Sequence, residues 1–520
     1  MIKKRDDKNQ VIEGAVSLTI ATIIVKILGA IYKIPISHVL GEEGMGYFNS
    51  AYTVYSFFYL LCTAGVPKAI MILCGELENE KKDKTIVIKS AISFFLIVGV
   101  SITLSFTLLS RPLAMLIGSP DSYLSMIFIA PSIIFSAISG VFRGYFSSTV
   151  EFFRISISQI VEGAGRLVFG LILGMVVSHT SASLSVVSAF TLLGSSIGSL
   201  LSLAYLSLCN NMNNLGNKQR QKNSLDEKAR LIKRIISISF PISAGAIIMS
   251  ITNVIDLGIV MNRLKSLGYS SVAATSMYGN YTTLATPIFN TIISLFVPIT
   301  IAFMPSLIKE KHDMDKFNSI LEEELKISSF IFIPLSIGVC VYSEEILKLL
   351  FNVNGVFLGS KLLIYLMISV FFIIPLYIVN CAMEAKGDVK VTMISMLVGA
   401  VFKIISGSLL IGNKSFGIFG APISTLAFYA AALITSVAIC YKTTRIKLPL
   451  IKSMSVPLIN SFISIYIFYA LHLHLSTKIN WIISFISAVI LTILLYFALN
   501  LIEGNLRREL NEKLCNVEAK

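Results

Sequence analysis

Thr19, Thr22, Lys26, Gly29, Lys33 and Ser37 recur at steps of three and four, the spacing that gathers side chains on one face of a helix. The rest of the 11–36 stretch is largely apolar and long enough to cross a bilayer. A lysine facing lipid there costs about 3 kcal/mol on insertion scales. The lysine face is therefore expected to look into a water-filled cavity inside a helix bundle, and a cationic cavity suits an anionic cargo.

Other charges inside apolar stretches carry the same question. Arg166 lies one turn after Glu162, with Gln159 a further turn before, so an intrahelical ion pair accounts for it as well as cargo does. Lys403 has no acid at helical spacing; its charge needs a partner from another helix, from water or from cargo. Asn253 and Asp256, three residues apart, suit an ion-coupling site or a pair with a cavity cation. Lys68 and Arg143 stand near span ends and are expected to snorkel. Pro67, Pro241, Pro287 and Pro305 interrupt spans and are expected to bend them.

Familiar soluble chemistry is missing. The sequence has no P-loop, HExxH or GxSxG pattern, so no catalytic residue, cofactor or metal site is expected. His472 and His474 are expected in an outer loop as solvated residues. The seven cysteines are scattered without CxxC pairs, which argues against both disulfides and metal binding.

The elements that must position these residues follow from composition. Of 520 residues 55% are hydrophobic and 14% charged, against about 25% charged in soluble domains, and mean hydropathy is +0.80. Apolar runs of about 20 residues fill nearly every interval between charge clusters, and only helices satisfy the backbone in such runs. The expected fold is an all-α polytopic membrane protein of about fourteen transmembrane helices. Two six-helix lobes form parallel repeats around a central cavity, with two extra C-terminal helices. The expected domains are a cytoplasmic tail 1–10, an N-lobe 11–208, a basic cytoplasmic linker 209–234, a C-lobe 235–441, helices 13 and 14 at 442–501, and a cytoplasmic tail 502–520. The repeat rests on Arg166 and Gly170 in RLVFG matching Lys403 and Gly407 in KIISG, and on Gly46-Tyr47 matching Tyr278-Gly279. Net charge is +14, but it is spread over alternate loops rather than gathered in a basic domain. That excludes nucleic acid as the expected partner and places both termini in the cytoplasm by the positive-inside rule.

The segment VKILGAIYKIPISHVLGEEGMGYFNSAYTVYSFFYLLCTAGVPKAI resembles the N-terminal region of the stage V sporulation protein B group of polysaccharide-biosynthesis membrane proteins. FRGYFSS with SQIVEGAGRLVFG, and SMYGNYTTLATPIFNTIISLFVPITIAFMPSLI, resemble later spans of that group. The resemblance covers about 10–440, and the group is similar to lipid II flippases and to multidrug exporters of the multidrug/oligosaccharidyl-lipid/polysaccharide exporter superfamily. It implies a bacterial cytoplasmic-membrane flippase working by alternating access on an undecaprenyl-pyrophosphate sugar, lipid II-like, for envelope or spore-cortex glycan. The implied partners are that lipid-linked precursor, membrane lipid, Na+ or H+ as coupling ion, and envelope-synthesis enzymes. The cationic cavity positions carry over to Lys26 and Lys33, lysines where related flippases carry arginines. The alternatives are a cation-coupled multidrug exporter and an integral-membrane glycosyl- or acyltransferase, for which the 343–361 loop is the one candidate region. A scaffold without transport activity is a third.

Overall fold

The computed structural model describes residues 2–79, 85–214, 225–351, 353–444 and 449–518. By contacts the chain divides into two compact units, Met1–Gly279 and Asn280–Lys520. Among the described residues there are no strands.

In the first unit α1 (Ile2–Thr63) joins the first two expected spans across a kink at Gly41. Gly41 has φ 61° and ψ −167°, a conformation that a residue without a Cβ adopts readily. Next come α2 (Val66–Asn79), α3 (Thr85–Leu116), α4 (Tyr123–Ile129) and α5 (Pro131–Ser148). The unit is completed by α6 (Phe152–Ser178), α7 (Leu184–Asn214), α8 (Leu225–Ser266) and all but the last residue of α9 (Ser271–Asn280). Pro67 lies in the first turn of α2, where its missing N–H costs nothing; it starts a helix instead of bending one.

Glycines decide how closely the first-unit helices approach. A Cβ on Gly194 of α7 would collide with the backbone of Gly170 on α6, and one on Gly198 with the backbone of Glu162 and Arg166. Small residues at such a seam let two membrane helices pack backbone to backbone. The α6–α7 pair is the most extensive in the unit, and it fixes the helix that carries Glu162 and Arg166. The two Tyr/Gly pairs matched in sequence also meet in space: Cβ atoms on Gly46 and Gly279 would strike Thr275 and Glu42 respectively.

The second unit opens on a π turn, Tyr281–Ala285, leading into α10 (Thr286–Lys309), with Pro287 in the first turn. It continues through α11 (Met314–Val341), α12 (Ser343–Leu350), α13 (Val356–Ile368), α14 (Val370–Ala385) and α15 (Val389–Ile411). The last three are α16 (Gly420–Thr444), α17 (Leu450–Leu475) and α18 (Trp481–Glu518). The Asp313 carboxylate caps α11 by accepting from the Lys316 N–H. The α17–α18 hairpin packs on α11, where the Tyr496 hydroxyl donates to the Phe330 carbonyl at 2.9 Å.

Two expectations need correction here. His472 is not a solvated loop residue: it lies on α17, buried at 3% exposure, with its Nδ1 2.9 Å from Ser484 Oγ on α18. Tyr342, Tyr469 and Phe485 surround the ring, and Glu345 Oε1 is 3.8 Å from Nε2. The 343–361 stretch is likewise no open loop, since α12 and the first turns of α13 occupy most of it.

Eleven helical runs among the described residues are long and apolar enough to cross a membrane. One of them, Ile27–Leu77, takes in the end of the expected 11–36 span and all of the second. The expected seventh and eighth spans fall on α8 and α10, helices in which some side chains lie outside the described set. Leu108, Ile434 and Leu409 are each more than two-thirds exposed, an outward apolar surface that lipid accommodates and water penalises. This is a multi-pass, all-helical membrane protein.

Candidate cationic cavity

A cavity of about 300 Å³ opens between α1 and α6 in the first unit. Its α1 wall is Val25, Leu28, Gly29 and Tyr32, and its α6 wall is Gln159, Glu162, Gly163 and Arg166. Gly29 leaves room: nothing stands within 4 Å of where its Cβ would be. Tyr32 anchors the α1 wall, donating its hydroxyl hydrogen to the Thr191 carbonyl of α7 at 3.2 Å.

The polar α6 wall is organised around one carboxylate between two guanidiniums. Arg143 of α5 donates through Nη2 to Glu162 Oε2 at 2.7 Å. Its other bonds go to Ser158 Oγ at 3.1 Å, from Nε, and to Ser202 Oγ at 3.0 Å, from Nη2. Arg166 Nη2, by contrast, stands 3.9 Å from Glu162 Oε1, beyond hydrogen-bond length. The Arg166 Nε is buried without any hydrogen-bond partner. Glu162 is thus hydrogen-bonded by Arg143, and the three groups together leave one net positive charge, with the Arg166 Nε as an unused donor. Its electrostatic neighbours are Glu162 and the α1 tyrosines Tyr52, Tyr55 and Tyr32. Tyr52 and Tyr55 belong to an aromatic stripe, Phe48, Tyr52, Tyr55 and Tyr59, whose successive ring centroids are 6.3, 5.7 and 5.6 Å apart, and Tyr32 meets it 6.2 Å from Phe48.

The expected site residues fall out unevenly. Arg166 and Glu162 line the cavity together. Lys33 lies half-buried on α1 one turn beyond Gly29. Lys26 is helical on α1, one turn before Gly29, and its side chain lies outside the described residues, as do those of Thr19 and Thr22. Ser37 is buried and donates to the Ile34 carbonyl at 2.6 Å, closing its own turn. Asn253 is exposed and Asp256 half-buried on α8, the helix that α1 meets through Ser56 and Ser250 hydroxyls 3.2 Å apart. Lys403 is half-buried on α15 of the second unit.

Arg143 is the residue that reading the sequence missed. It does not snorkel, because its side chain is 15% exposed and turned inward to Glu162. The intrahelical pair of Glu162 with Arg166 is the longer of the two contacts. The available signal was Ser158, one turn before Glu162, a second acceptor on the face that Arg143 meets. The aromatic stripe was also legible, as Phe48, Tyr52, Tyr55 and Tyr59 recur at helical spacing.

Comparison with known proteins agrees with this architecture. Stage V sporulation protein B of Bacillus subtilis (strain 168) is 24% identical over 430 residues, 80% of this chain and 81% of that protein. A solved structure of the lipid II flippase MurJ in an inward closed conformation superposes with a TM-score of 0.73 at 18% identity. It covers 94% of this chain and 99% of that one. An inward-facing multidrug resistance MATE family transporter of the MOP superfamily gives 0.62 at 14% identity, covering 83% and 99%. The fold is therefore that of flippases and transporters of this kind. Residues 11–309, more than half of the chain, match the family described as polysaccharide biosynthesis protein, and the chain belongs to that family.

Proposed function

We infer that this protein is a flippase for an undecaprenyl-pyrophosphate-linked sugar, lipid II-like, serving envelope or spore-cortex glycan synthesis. The observation that carries the reading is Arg166: an arginine beside a cavity, its nearest carboxylate held by another arginine and its Nε unpartnered. A guanidinium with a free donor is suited to phosphate oxygens. A cavity of about 300 Å³ is at the small end for ligand sites; it has room for a phosphorylated head, with the prenyl tail left in lipid. Lys26 and Lys33, on the helix that forms one cavity wall, add attraction for the pyrophosphate, and Asn253 of α8 bonds sugar oxygens. Asp256 and Glu162 balance the cations.

The mechanism is alternating access without covalent chemistry. With both termini cytoplasmic, the anionic head moves outward, and an inside-negative potential favours that by about 2.3 kcal/mol per charge per 100 mV. The fold shared with a MATE transporter keeps multidrug export as the second reading, but a cationic drug is repelled by the net positive charge of Arg143, Glu162 and Arg166 together.

The test is transbilayer movement of a fluorescent undecaprenyl-pyrophosphate sugar in proteoliposomes, comparing native protein with Arg166→Ala and Lys33→Ala. Movement by the native protein that is lost in folded variants supports the reading. No movement of any anionic lipid at either polarity of membrane potential rejects it.

A further inference from the structure

Glu324 is a fully buried carboxyl group that the cavity does not use. It lies on α11, 0% exposed, and neither carboxyl oxygen has a hydrogen-bond partner. It ends a run of three acids, Glu322, Glu323 and Glu324, and helical rotation gives the three different surroundings. Glu322 pairs with Lys326 at 2.7 Å, Glu323 is exposed, and Glu324 alone turns into the packing. One turn on, the Ser328 and Ser329 hydroxyls are also buried and unpartnered.

The groups facing it from neighbouring helices offer no counter-charge. From α14, Cys381 and Glu384 are the ionisable groups nearby. The Cys381 thiol is directed to the Thr300 carbonyl of α10 at 3.5 Å, and Glu384 accepts from Thr392 at 3.0 Å. Lys386, following α14, places Nζ 4.7 Å from the Phe317 ring centroid and 3.1 Å from Met314 Sδ. From α17, Lys452 is an electrostatic neighbour of Glu322. Lys386 and Lys452 are thus engaged elsewhere, and the other acid near Cys381 is Glu384. No group of three or more His, Cys, Asp and Glu suited to a metal ion occurs among the described residues.

An ionised carboxylate without donor or counter-charge in such packing is strongly disfavoured, and a group so placed neutralises instead. We propose that Glu324 is a proton-binding site whose proton is held while α11 stays packed on α10 and α14, and released when that packing opens to water. The ligand is a proton and not a metal cation, because the site supplies no shell of oxygens around the carboxyl. Glu324 stands ten residues from the start of α11 at Met314, about 15 Å along the helix. The α11 start follows the 310–313 loop, part of the 309–326 segment that the lysine and arginine distribution assigns to the cytoplasm. The proton therefore exchanges with that side. Closing the α10–α11–α14 packing takes up one proton, and opening it gives the proton back, which makes the arrangement of these helices sensitive to pH. The proton site itself stands without the flippase reading, and its test uses no transported lipid.

Infrared spectra of the purified native protein and Glu324→Gln, between about pH 5 and pH 9 where an ordinary glutamate is ionised, decide the matter. The amide of glutamine copies the shape of the neutral acid, so this variant is expected to fold. The expected result is a buried carboxylic-acid carbonyl band in the native protein that is lost completely in Glu324→Gln. Over that range the unfolded chain has already given this proton up while the folded one keeps it, so raising the pH is expected to lower the native melting temperature in detergent more steeply than that of Glu324→Gln. Superposable spectra across the range, or parallel melting profiles, overturn the proposal.

Discussion

The two arginines around Glu162 are expected to separate cleanly into one that holds the protein together and one that serves the cavity. Arg143→Ala removes the 2.7 Å partner of a carboxylate that is 14% exposed, and takes away the guanidinium donors to the Ser158 and Ser202 hydroxyls. Breaking a buried pair in this way costs about 3 kcal/mol, and Arg166 at 3.9 Å replaces only part of the lost attraction. For a unit of this size that corresponds to a fall of about 5 °C in melting temperature. Arg166→Ala removes only the long contact from a side chain that is 34% exposed, and its Nε has no bond to lose. The stability cost is below about 1 kcal/mol. Its effect is expected on cargo: one charged hydrogen bond to phosphate is worth about 1.5–3 kcal/mol, roughly 10- to 100-fold in half-saturating lipid concentration. The assays are thermal melting in detergent and flipping rate against lipid concentration in proteoliposomes, both on the same preparations. Equal melting losses for the two variants would refute the division of roles, and so would native flipping by Arg166→Ala.

Three further outcomes follow from the packing. Gly194→Val places a branched side chain against the Gly170 backbone and is expected to cost at least about 3 kcal/mol, seen as lost monodisperse protein on size-exclusion chromatography. Gly258→Ala, with nothing within 4 Å of the new Cβ, is expected to elute as native. His472→Ala leaves Ser484 and Glu345 without their imidazole neighbour and opens a void among Tyr342, Tyr469 and Phe485. A loss of about 2 kcal/mol is expected, read as a lower melting temperature; an unchanged melt would mean the α17–α18 hairpin does not depend on that contact.

The apolar runs of this chain determined by themselves that it is helical and membrane-spanning, because in lipid the backbone must satisfy its own hydrogen bonds. Periodicity along single helices likewise placed Glu162 and Arg166 on one face, and the structure has both lining one cavity wall. What lies along one helix is local information, and a 3.6-residue repeat suffices to read it. Tertiary structure decided what crosses between helices. Sequence spacing favoured Arg166 as the partner of Glu162, yet the α6–α7 glycine seam and the position of α5 give that carboxylate to Arg143. His472 looked like a loop residue until the α17–α18 hairpin closed over it. Glu322, Glu323 and Glu324 are chemically identical and adjacent, and only the helices packed on α11 leave one paired, one exposed and one buried alone. Burial and pairing depend on which atoms approach from elsewhere in the chain, and that is fixed by packing rather than by spacing.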